Sequence, residues 1–197
     1  FDPDAAEKAR AILDTLGDKG IVATGIGISP LMDWLQHIAG VENGHYLLHD
    51  EPDRVEALFA EIHRYLLRKA EIIAEQHPFD IVYSVENTST TLISPAMFDK
   101  YCMPLLTEYG RLLTDANKIH VLHMCGTLKR LLPQIGALPS HVNEAFTSAP
   151  VGDTSLMDGR SEMPDRCLIG GTNAALWLEP GDTIIRTIER DLAELPH

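Results

Sequence analysis

The chain has 197 residues, 45% of them hydrophobic and 23% charged, enough to bury a sizeable core and ordinary for a globular protein. Its 29 acidic against 16 basic residues leave a formal charge of −13, which argues against nucleic acid or an anionic membrane as partner. No apolar run approaches the roughly 18 residues that span a bilayer, and no secretory signal pattern is present.

Three cysteines, Cys102, Cys125 and Cys167, form an odd set without a compact framework, so a reduced, cytoplasmic setting is expected. The first residue is Phe1 rather than Met, directly before a helix start, and a trimmed chain is expected from that.

Asp2-Pro3 reads as a helix cap followed by proline in the first turn, and Gly17 as the stop. Ile21 to Ile28 is a largely apolar strand that ends at Ser29-Pro30, with a short helix through Met32, Leu35 and Ile38 behind it. Asp50-Glu51-Pro52-Asp53 opens a long helix; Val55, Leu58, Phe59, Ile62, Leu66 and Ile73 keep the helical period, and Pro78 closes it. A strand follows at Asp80 to Val85, with a polar tip, Glu86 to Thr90. Ser94-Pro95 caps a helix running to about Asn117, strand 119–123 comes next, and then a helix near 127–135. Val142 to Phe146 reads as a strand, 148–165 as a loop rich in Gly, Pro and Asp, and Cys167 to Gly170 as a strand, with Asp182 capping a last helix.

Strands and helices alternate, and the strands are apolar enough to want cover on both faces. That pattern predicts a parallel α/β sheet in a single domain over residues 1–197. It fits either an open doubly wound sheet or part of a (β/α)8 TIM-type barrel. About five strands are expected, where a closed barrel needs eight, so a barrel would be incomplete. Both arrangements gather ligands at the carboxyl ends of strands, where Glu86, Asn87, His123, Cys125, Glu144, Thr172 and Asn173 fall.

The run His123-Met124-Cys125-Gly126 is the most chemical of these. Residues two apart in extended chain share a side, so His123 and Cys125 can aim at one point. Imidazole nitrogen and thiolate sulfur are zinc donors, and Glu144, ending the next strand about 4.8 Å away, offers a carboxylate as third ligand. The bland reading is a chance His-x-Cys with a cysteine that packs as a small hydrophobe.

Three segments carry a family resemblance: Ile93-Ser94-Pro95 through Cys102-Met103-Pro104, His123-Met124-Cys125-Gly126, and Leu168-Ile169-Gly170-Gly171-Thr172-Asn173. As an ordered set over roughly residues 20–190 they resemble the uroporphyrinogen decarboxylase superfamily. The His-x-Cys pair is similar to its zinc-dependent methyltransferase branch and is lacking in the true decarboxylases. That resemblance implies a barrel, Zn2+ held by His123, Cys125 and Glu144, and methyl transfer between a small substrate (a thiol, or a methyl ether or amine donor) and a corrinoid carried on a partner protein. It also implies a second cysteine ligand, which would fall just beyond His197, and an N-terminal third that is missing here.

Glu86 and Asn87 are expected as catalytic groups lining the pocket, and Gly27 and Asn173 as substrate-binding positions, with Gly25 beside Gly27. Against this stand a solvated loop tip for the first pair and a turn cap for Asn173. Cys167 starts its strand and is expected on the opposite side of the sheet, a structural residue like Cys102. His37, His45, His49, His63, His77 and His141 show no ligand spacing and default to surface or capping roles. A metal-free decarboxylase-like lyase is the alternative function. A non-enzymatic barrel fragment that associates with its own copies through open sheet edges is the third reading.

Overall fold

The computed structural model describes residues 4–195; the expected Asp2-Pro3 start lies outside them. Five strands, β1 (Ala23–Gly27), β2 (Ile81–Val85), β3 (Ile119–His123), β4 (Val142–Phe146) and β5 (Cys167–Gly170), form one sheet in the order of the chain. Every neighbouring pair is parallel. A doubly wound sheet reverses its strand order at a switch point. This one never does, so each right-handed crossover lays its helix on the same face. The architecture is that of part of a TIM-type barrel.

The register sorts the strands into layers. Ala23, Ile81 and Ile119 are side by side, then Gly25, Tyr83, Val121, Val142 and Cys167, then Val85, His123, Glu144 and Ile169 at the carboxyl end. Because side chains alternate, these three rows share one face, the one that lines a barrel. The other face carries Ile26, Val82, Ser84, His120, Leu122 and Asn143, all buried under helices. The expected cover on both faces is therefore not observed. The lining face is partly open, with Val85 and Ile119 each 40% and Ile169 46% exposed.

The helices are α1 (Ala5–Leu16), α2 (Pro30–Asp33), α3 (Val41–Asp50), α4 (Pro52–Gln76), α5 (Pro95–Tyr101), α6 (Met103–Asp115), α7 (Leu132–Gly136), α8 (Leu156–Glu162) and α9 (Gly181–Ala193), of which α4, α6 and α8 pack directly on β1, β3 and β5. Gly17 ends α1 with φ of 56°. In α4, Val55, Phe59, Leu66 and Ile73 of the expected stripe are buried, with Ala70 beside them, whereas Leu58 is 40% exposed. Two apolar cores result. One packs Ile26, Leu66, Ile73, Val82, Leu105 and Leu113 under β1 and β2. The larger one packs Leu35, Phe98, Leu122, Met124, Leu131 and Phe146 around the middle of the sheet.

Several expectations change. The helix expected from Ser94 to about Asn117 breaks at Cys102, because Pro104 in the first turn of α6 lacks the N–H that an unbroken helix would need. Ser94 does cap α5, accepting from the Met97 N–H. The stretch from Val41 to Asp50, for which no element is expected, is a helix of its own. The loop at 148–165 contains α8, whose Ser155 and Asp158 form a reciprocal capping box. Finally, Pro180 sits at the cap of α9, and Asp182 lies within its first turn without a capping bond.

Candidate functional site

The carboxyl ends of β2, β3 and β4 are tied together by their main chains. The N–H groups of Glu86 and Asn87 both donate to the His123 carbonyl, at 2.9 and 3.2 Å, and the Met124 N–H donates to the Glu144 carbonyl at 3.1 Å. His123 and Glu144 are direct register partners. Their side chains meet, with His123 Nδ1 bonded to Glu144 Oε2, each side chain about a quarter exposed. Such a pairing fixes the imidazole's orientation.

Cys125 follows two residues on. Its Sγ–H donates to Asn87 Oδ1 at 3.3 Å. Gly126, at φ of 136°, lets the chain turn against the β2 exit, where a side chain would run into Ser89. The Thr127 hydroxyl bonds those of Ser89 and Thr90, at 2.9 and 2.8 Å, and so locks the two loops together. Asp153 clamps the same loop by accepting from the Leu128 and Lys129 N–H groups at 2.6 and 3.0 Å.

Asn87 has the left-handed φ of 48°, which asparagine tolerates better than most residues. Its Nδ2 donates to Gln36 Oε1 at 3.2 Å. Glu86 is placed differently from its expected role. Its carboxylate is fully buried, turned away from the His123 row, and accepts from the Ser29 N–H at 3.0 and 3.2 Å. Burial pushes its pKa up to about 7, although the bonds from Ser29 pull the other way.

The remaining predicted positions lie elsewhere. Gly27 is on β1, paired with Ser84 and two strands from His123. With φ of 132°, its missing side chain makes room for Leu66, 2.7 Å from where a Cβ would stand. Asn173 Oδ1 caps a 3-10 turn over Ala174–Leu178, and its Nδ2 donates to Ser148 Oγ and the Ala149 carbonyl at 3.3 and 2.8 Å. It lines a cavity of about 370 Å3 with Ser148, Ser155 and Thr187. Cys167 does begin β5, but its row is the lining row, so it shares the face of Glu144, one layer below. All three cysteines are free, and Cys102 is buried.

Sequence reading passed over Gln36. The signal that could have found it is weak, since Gln36 is one of three polar residues, with Asp33 and His37, among the apolar residues from Leu31 to Ile38. Among the described residues, no three His, Cys, Asp or Glu side chains are grouped as a cation site. Two of the three expected donors touch, and the third is held aside by Asn87.

A model of the family described as uroporphyrinogen decarboxylase matches residues 5–195. The chain belongs to the uroporphyrinogen decarboxylase family. Among solved structures it is similar to a methyltransferase from Methanosarcina mazei, with a TM-score of 0.73 and 17% identity over 97% of this chain. It spans 55% of the length of that neighbour, so it aligns with about half of a longer fold. A search of curated proteins returns no match. The family's barrel accounts for the consecutive strand order and for the half-open lining face.

Proposed function

We propose that this chain carries the core of a zinc-dependent methyltransferase, moving a methyl group between a small substrate (a thiol, or a methyl ether or amine donor) and a corrinoid held on a partner protein. The observation that carries this reading is the contact between His123 and Glu144 at adjacent strand ends, with Cys125 two residues beyond. Family membership and the fold likeness to a methyltransferase add support.

Imidazole nitrogen, thiol sulfur and carboxylate oxygen form a zinc donor set, so the residues present fit the ion in kind. His123, Cys125 and Glu144 would hold it. When bound, zinc supplies a Lewis acid, able to keep a substrate thiol ionised near neutral pH or to polarise a methyl donor. The chain's own groups do the positioning. Glu144 sets the His123 ring, and Asn87 sets the Cys125 sulfur. Val121 and Val142, at 3% and 8% exposure, form a dry floor one layer below. Glu86 lies behind the strand ends and, with its pKa raised to about 7, is only partly ionised near neutral pH.

Metal content of the purified protein tests the reading. About one zinc per chain is expected, falling at least tenfold in occupancy for Cys125→Ser and for His123→Ala. Full retention of zinc in both variants, or none in the parent, would sink the site. A parent without zinc would favour the decarboxylase-like lyase reading instead.

A further inference from the structure

We propose that Gln36 is a positioning residue for the candidate site, the start of a polarity relay that decides which end of the Asn87 amide faces the Cys125 thiol. No sequence motif marks it, and its bearing on function rests on Cys125 being the zinc donor proposed above.

The relay begins at a group with one option. The Glu86 carbonyl can only accept, and Gln36 Nε2 donates to it at 3.2 Å. With its nitrogen so committed, Gln36 presents Oε1 to the neighbouring residue, where it accepts from Asn87 Nδ2 at 3.2 Å. Asn87 is then left with Oδ1 for Cys125, whose Sγ–H donates to it at 3.3 Å. Three bonds in series thus carry the polarity of one main-chain carbonyl to one sulfur. Reversing the Gln36 amide would place oxygen against oxygen at Glu86 and free Asn87 to turn its nitrogen toward the thiol.

The backbone around Gln36 is unusual in a way that supports this role. Trp34–Ile38 is a π-helical turn directly after α2, with the Ala39 N–H reaching back to the Trp34 carbonyl at 2.8 Å. Such widened turns shift the side chains they carry and recur at functional sites. Trp34 and Leu35 anchor the turn in the core, at 7% and 1% exposure, while Gln36 stays partly exposed and reaches the β2 exit. The residue it grips, Asn87, holds a left-handed conformation and shares the His123 carbonyl with Glu86. One side chain therefore braces two consecutive residues of the site.

The test uses the three free cysteines as reporters in one sample of the full chain without added metal. Iodoacetamide labelling is followed for each cysteine by peptide mass spectrometry. Exposed Cys167 gives the reference rate, and buried Cys102 reports loss of the fold. Gln36→Met keeps the side chain's length and removes both amide bonds; Asn87→Ala removes the acceptor itself. Each is expected to speed labelling of Cys125 about fivefold, what one neutral hydrogen bond is worth, with Cys102 still protected. Because the bonds are in series, the double variant should be no faster than either single one. Gln36→Glu, which keeps an acceptor for Asn87 Nδ2, should remain within about twofold of the parent.

An unchanged Cys125 rate in Gln36→Met would overturn the relay. So would a double variant about twenty-five-fold faster, the product expected of independent effects. If Cys102 labels in Gln36→Met, the comparison of Gln36→Glu with Asn87→Ala decides instead: equal acceleration in both ends the proposal, and parental behaviour of Gln36→Glu alone sustains it. No step of the test depends on bound zinc, so failure here leaves the metal reading standing, whereas loss of the metal reading would leave the labelling rates unchanged and remove only the relay's bearing on function.

Discussion

At the scale of single residues, the site is held by small groups whose replacement has a calculable steric meaning. Gly152 is the sharpest case. A Cβ there would collide with the Thr147 carbonyl oxygen and stand 2.7 Å from the Gly126 oxygen, so the β3 and β4 exits touch through bare backbone. Neither atom can yield without moving a loop. Gly152→Ala is therefore expected to destabilise the fold by about 3 kcal/mol, measured by chemical denaturation. Gly25 is the contrast, since nothing lies within 4 Å of its added Cβ, and Gly25→Ala should shift stability by less than about 1 kcal/mol. Equal effects of the two substitutions would contradict the close approach of the two loops.

At the scale of elements, β3 shows how one strand serves two chemistries. Its lining face ends in His123, and its outer face buries His120, whose Nε2 bonds Ser84 Oγ at 2.9 Å. Burial, with His141 and Arg166 adding positive charge nearby, pushes the His120 pKa down to about 4. The neutral ring is thus the folded form, whereas the unfolded chain takes up a proton near pH 6.5. Between those values the unfolded state binds more protons, so this group's contribution is complete above about pH 6.5 and is lost as pH falls toward 4. The full span is worth about 3 kcal/mol. Replacing the ring by Asn should flatten that part of the acid limb, read as the difference between His120→Asn and the parent in urea melts at pH 7.5 and 5. Parallel curves would show that the ring titrates normally. Arg166 closes the same end of the sheet, donating to the Ile135, Gly136 and Leu138 carbonyls at 2.7, 3.1 and 2.5 Å and so capping α7.

For the whole molecule, the decisive feature, among the described residues, is a sheet whose outer face is covered by helices while its lining face stays partly open. Its lining face exposes Val85, Ile119 and Ile169, and β1 and β5 each have one unpaired edge among the described residues. Apolar faces and free edges of this kind drive association. Copies of this chain should therefore sediment as assemblies heavier than 21.8 kDa. Ile169→Lys, placing charge in the lining row beside Glu144, should shift the distribution toward monomer. A monomeric parent at tens of micromolar would refute the association.

The sequence alone determined the strand–helix alternation, all five strands to within two residues at each end, and the convergence of His123 and Glu144. Each follows from local rules: periodicity marks faces, and the ends of neighbouring parallel strands come together. Its misses have physical causes too. Pro104 splits a helix that its apolar period would continue, and the Ser155–Asp158 box starts a helix inside a stretch whose composition reads as loop. Only the tertiary structure decided that helices cover one face, that Cys167 shares the lining side, and that Glu86 is buried against Ser29 rather than lining the site. Those facts depend on strand order and register. The same is true of Gln36, which is 51 residues from Asn87 in the chain yet bonded to it. Contacts between such distant residues leave no periodic trace in the sequence; packing alone brings them together.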